Sequence, residues 1–104
     1  MKAAPWVNRV DLAGTVASAP ERRRTPAGTP VLQFRLRVEP SPHDPAVAGC
    51  LVTVVALGEG AVAPEVTEGS AVEITGSLTE RRGRGPGALR QSRFEILARS
   101  VRVL

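Results

Sequence analysis

Apolar and polar residues alternate along most of this chain with a period of two, the spacing that places successive side chains on opposite faces of a β-strand. The alternation is cleanest from Val31 to Val38, where Leu32, Phe34, Leu36 and Val38 point one way and Gln33, Arg35 and Arg37 the other. It predicts the second of five strands. The first runs from Trp6 to Ala17, with Val10, Leu12 and Val16 set against Arg9, Asp11 and Thr15. Gly14 sits in its middle, as glycine does at a bulge or a sharp coil. The third, Cys50 to Leu57, is almost continuously apolar, which predicts cover on both faces, with Cys50 as a small buried residue. The fourth, Ala71 to Glu80, turns Val72, Ile74, Gly76 and Leu78 inward. In the fifth, Arg93 to Leu104, Phe94, Ile96 and Ala98 share a face before Val101 and Val103 take over the apolar phase. Such a slip predicts a bulge near Arg99.

Between the strands the signals change. Pro20 to Thr29 reads as a polar loop containing a tight turn at Thr25-Pro26-Ala27-Gly28. The prolines at 40, 42 and 45 predict a long loop without regular structure. Glu59 to Thr67 is the one short helix candidate, with Ala61, Val62 and Val66 as its apolar stripe; Pro64 limits it to a turn or two, and Gly69 follows its end. Strand, strand, strand, short helix, strand, strand is the order of a small closed barrel. The expected fold is therefore all-β, a five-stranded OB-fold barrel with a helical turn between strands three and four. At 104 residues the whole chain, 1–104, is expected to be one domain.

Charge sharpens this picture because it is sorted by position. From Glu39 to Glu80 there are seven acids and no Lys or Arg, whereas from Arg81 onward seven arginines face one acid, Glu95. The first 38 residues carry one Lys, six Arg and two acids. With a pI near 11.0, the chain is suited to a polyanionic partner. The single cysteine excludes an internal disulfide and a cysteine-based metal site. No cluster of metal-ligand residues has the required spacing, no nucleophile has a positioned base, and the glycine-rich stretch lacks the Gly-Lys-Ser/Thr ending of a phosphate-binding loop. Neither a cofactor nor an enzymatic activity is expected. No stretch suits a signal peptide or a membrane span, so a reducing cytoplasmic location is expected.

Several segments resemble the family of bacterial single-stranded DNA-binding proteins and its primosomal replication protein N (PriB) branch. They are Val7-Asn8-Arg9-Val10-Asp11-Leu12-Ala13-Gly14-Thr15-Val16, Thr25-Pro26-Ala27-Gly28 with Val31 to Leu36, Val52 to Gly58, Glu68 to Leu78, and the close from Ile96 to Val103. The chain ends at Leu104 without an acidic tail, and its third strand has no aromatic residue; both features resemble the PriB branch more than the replicative proteins. The resemblance implies a homodimer that binds single-stranded DNA without sequence preference and works with a replication restart helicase and other primosome proteins. Two other readings stand beside it: a short replicative single-stranded DNA-binding protein, and an OB-fold protein-interaction module that docks a basic partner on its acidic middle segment.

On this reading Arg81, Arg82, Arg84 and Arg90 form a basic loop that tracks phosphate, with Arg93 at the foot of the next strand. Arg35 and Arg37 either face nucleic acid or pair with Glu73 or Glu39. Arg22, Arg23 and Arg24 either line the groove or form a solvated loop. Trp6 either stacks a base or packs at a subunit contact, whereas the phase of Phe34 and Phe94 assigns both to the core.

Overall fold

A computed structural model describes residues 5–62, 64–81 and 93–104. Its strands are β1 (Val10–Val16), β2 (Glu21–Arg24), β3 (Pro30–Val38), β4 (Cys50–Leu57), β5 (Ala71–Arg81) and β6 (Arg93–Val103), with the single-turn helix α1 (Glu59–Val62) between β4 and β5. They form one six-stranded sheet in the order β1-β5-β6-β4-β3-β2, and an added β1–β3 pairing closes it on itself. Five strands make the ring, and β2 extends from it along β3. All pairings are antiparallel except β4 with β6. This is the connectivity of the OB fold.

Closure needs strong coiling, and two glycines permit it. A Cβ on Gly14 would collide with the carbonyl of Arg37 across the β1–β3 crossing, and one on Gly76 with the carbonyl of Leu97. Glycine therefore stands where backbones approach most closely. The β5–β6 ladder shifts register between Thr75 and Gly76: Thr75 faces Ser100 and Gly76 faces Ala98, so Arg99 is the extra residue of a bulge. That bulge is the predicted phase slip, and it returns Val101 to the interior.

The core lies inside the ring, with Leu32, Phe34, Leu36, Val54, Val72 and Ile74 almost fully enclosed. α1 closes one end by burying Ala61 and Val62, joined by Val66 just beyond it. Arg22 fixes that plug by donating to the carbonyls of Val62 at 2.8 Å and Pro64 at 3.0 Å.

Several expectations need correction. Pro20–Thr29 is not a loop throughout, because Glu21–Arg24 forms β2, paired with Pro30–Gln33. The tight turn joins them: Gly28 N–H donates to the Thr25 carbonyl at 2.8 Å, with Gly28 at φ +88°. The first strand begins at Val10 rather than Trp6. Before it, the Asn8 side chain replaces a ladder rung, donating to the Leu78 carbonyl at 2.9 Å and accepting from Leu78 N–H at 2.8 Å. β4 is not covered on both faces, since Cys50, Leu51 and Leu57 are exposed. Phe94 is 61% exposed rather than core, and Leu78 is also largely exposed. Cys50 and Phe94 share one cause. Each occupies a rung beyond the last layer of core, where the phase of a strand still gives the face but no longer the depth.

Candidate nucleic-acid interface

Strand alternation sets an outer face across four neighbouring strands. On β3 it carries Val31, Gln33, Arg35 and Arg37; on β4, Leu51, Thr53, Val55 and Leu57. β6 adds Arg93, Glu95 and Leu97, and β5 adds Ser77, Thr79 and Arg81. The register places Arg35 opposite Thr53, Thr53 opposite Glu95, and Glu95 opposite Thr79, in one row across the sheet. The next row is Gln33, Val55, Leu97 and Ser77.

A cleft of about 590 Å³ opens at the rim of this face, near the start of β4 and β6. Arg35 and Arg93 line it together with Glu21, Leu51 and Thr53, and Phe34, Val52 and Phe94 enter from the opposite strand phase. Neither arginine makes an ion pair among the described residues, and the same holds for Arg37, so neither Glu39 nor Glu73 takes them up. Glu73 instead accepts from Arg102 at 2.9 Å. Arginine forks suit phosphate, and an exposed ring beside them suits a base. Phe94 is the site residue that phase reasoning missed. Its signal in the sequence was its place at the very start of a strand, next to an arginine.

The remaining candidates fall into three groups. Arg23 lines two neighbouring clefts on the same side. Arg22 spends donors on α1, and Arg24 donates to the Gly28 carbonyl at 2.9 Å, so both help hold the hairpin. Trp6 is 91% exposed, outside the strands and apart from these clefts. Arg82, Arg84 and Arg90 lie outside the described residues; Arg81 ends β5, its Nε 3.3 Å from Glu95 Oε1.

On the β1 side, Asp11 accepts from Arg9 Nε and from the Thr75 hydroxyl, both at 2.8 Å. The bond from Arg9, then that from Thr75, hold its carboxyl below the usual carboxylate range. Among the described residues no group of three or more His, Cys, Asp or Glu could hold a metal ion. Among them, too, no helix is long and apolar enough to cross a membrane.

A closed OB ring with a basic outer face and exposed apolar platforms defines a class, the single-stranded nucleic-acid binders. The chain belongs to the single-strand binding protein family, whose model matches residues 7–104. Among solved structures it is similar to the dimeric N-terminal domain of the PriB protein from Thermoanaerobacter tencongensis. That match has a TM-score of 0.69 and 21% identity, over 93% of this chain and 96% of that one. At this identity the likeness is one of fold. No curated protein matches the sequence.

Proposed function

We propose that this protein is a PriB-like single-stranded DNA-binding protein that acts in primosome assembly and replication restart. It holds unpaired DNA in the cytoplasm as a homodimer, without a required sequence and without chemistry of its own. The restart helicase and other primosome proteins are its protein partners. The observation that carries the reading is the cleft at the rim of the outer face, lined by Arg35 and Arg93, free of ion pairs among the described residues, and by the exposed Phe94 from the opposite strand phase. Arg37, Arg23 and Arg81 extend the positive surface, and the stretch Arg81, Arg82, Arg84 and Arg90 adds further cations to the track.

Two features support self-association. The Val10–Ala13 part of β1 pairs with β5 on one edge, while its pairing with β3 begins only at Thr15. Trp6 and Val7, just before it, are more than nine-tenths exposed. An open strand edge beside uncovered apolar side chains is suited to a second copy.

Fluorescence anisotropy of labelled oligo(dT) over a salt series tests the binding. Affinity falls as salt rises, with a logarithmic slope of about −0.7 for each phosphate contacted on a single strand. Replacing Arg81, Arg82 and Arg84 together weakens binding and flattens that slope. If low salt gave no binding at all, the DNA-binding reading would be lost.

A further inference from the structure

A second cleft, of about 480 Å³, lies on the outer face beside the first. Its floor is apolar, built on Val31 and Val55, which are buried although they point outward, with Leu97 beside them. Glu95 lines it at 4% exposure, the only buried charged side chain among the described residues. Arg81 contacts that carboxylate, and Arg23 forms the opposite wall.

A buried carboxylate is out of place on a face that attracts a polyanion. It repels phosphate, and its burial costs desolvation. One use is visible in the ladder: Arg81 faces Arg93 directly, a destabilising like-charge pair, and Glu95 offsets it from the diagonal. A surface carboxylate would serve that purpose equally well. It would not account for an acceptor enclosed in an apolar-floored cleft large enough for a purine.

We propose that this cleft is a guanine-selective base pocket on the DNA track. The proposal rests on the single-stranded DNA reading and deepens it. Guanine is the base that presents two adjacent donors, N1–H and the N2 amino group, and a carboxylate accepts both side by side. Its other edge presents O6 and N7, the pair of acceptors an arginine fork takes. Adenine and cytosine offer an amino group next to a ring acceptor, so they supply one donor where guanine supplies two. Thymine offers a single N–H between two carbonyl oxygens, which Glu95 repels. Among the described residues the ion-pair partner of Glu95 is Arg81, at Oε1, and each carboxylate oxygen accepts about two bonds, so that contact leaves acceptor capacity on Glu95. Val31, Val55 and Leu97 supply the face on which the ring rests. Phosphate contacts elsewhere stay blind to sequence, so selectivity is confined to this one subsite.

The test compares three labelled oligonucleotides on the full chain at one salt concentration. One is oligo(dT); the second carries guanines too widely spaced to associate; the third replaces each guanine by hypoxanthine, which lacks only the N2 amino group. Guanine raises affinity roughly tenfold over thymine, in line with one good bidentate contact, and hypoxanthine loses most of that gain. Glu95→Gln brings the guanine-to-thymine ratio close to one and raises oligo(dT) affinity, because a negative charge has left the track. A merely structural role for Glu95 would instead lower both affinities together. If Glu95→Gln does not fold, the guanine–hypoxanthine comparison on the unaltered chain decides alone. Equal affinity for all three oligonucleotides overturns the pocket and leaves the broader reading standing. A guanine preference that survives both hypoxanthine and Glu95→Gln also overturns it. Failure to bind any of the three sinks the broader reading itself.

Discussion

At 61% exposure Phe94 keeps most of a phenyl ring in water, at the edge of a cleft that also holds Arg35 and Arg93. Core packing does not explain that position, whereas base stacking would. Phe94→Ala should therefore weaken oligo(dT) binding by about 1–3 kcal/mol, the worth of one stacked base. Its effect on stability should stay within about 0.5 kcal/mol, as for other surface changes. Anisotropy and urea melts on the same preparation separate the two effects, and a large loss of stability would return the ring to the core. Asp11 makes a different prediction. Its folded pKa lies below the ordinary value because Arg9 and Thr75 donate to the carboxylate. The native state thus binds fewer protons than the unfolded chain around that value. The stabilisation is present above the ordinary carboxylate pKa, about 4, and disappears as pH falls through the lower folded value. Asp11→Asn should accordingly lower stability at neutral pH and flatten the acid limb of a melting-temperature profile. An acid limb identical to that of the parent chain would remove Asp11 from the account.

Among the elements, β1 shows how local backbone demands shape the barrel. Gly14 lies against the Arg37 carbonyl with no room for a methyl group, so Gly14→Ala must push β1 away from β3. The expected cost is about 1–3 kcal/mol, as for overpacking in a tight interior. A lower urea midpoint with an unchanged slope would confirm it; an unchanged midpoint would mean the crossing is looser than this geometry. The alternation made the inward residues of β3 and most of those in β5 and β6 legible, together with the bulge at Arg99, because a period of two is set by the backbone itself. β2 was hidden because Glu21-Arg22-Arg23-Arg24 is polar on both faces and carries no alternation. It pairs because the turn at Thr25–Gly28 folds it back onto β3, and Ser18 bridges the break by accepting from Arg35 N–H at 3.0 Å. Depth was the other hidden quantity. Cys50 and Phe94 both belong to strand starts, where a residue of the right phase extends past the core.

At the scale of the whole molecule, what matters about the arginines is which of them are already engaged. Arg9 pairs with Asp11 at 2.8 Å and Arg102 with Glu73 at 2.9 Å. Arg22 and Arg24 bond backbone carbonyls within the hairpin and α1. Arg35, Arg37 and Arg93 make no ion pair among the described residues, and Arg35 and Arg93 share one cleft. The sequence showed that positive charge is clustered, but it could not separate these groups, because pairing depends on register across strands far apart in the chain. The acids Glu59, Glu65 and Glu68 lie in the α1 connection at the end of β4 and the start of β5, whereas Arg81 and Arg93 lie at the opposite ends of β5 and β6. Among these residues positive charge gathers at the Arg81 and Arg93 end, a distribution that would draw a polyanion there. This partition makes a sharp prediction for salt dependence. Arg93→Ala and Arg35→Ala should each reduce the slope of log affinity against log salt by about 0.7, one phosphate contact apiece. Arg102→Ala removes the same charge from the same chain but from an existing pair on the other side of the β5–β6 ladder, and it should leave the slope unchanged. Net charge alone predicts equal effects from all three replacements. Equal slopes across the three variants would therefore show that diffuse field, rather than the built face of the barrel, holds the strand.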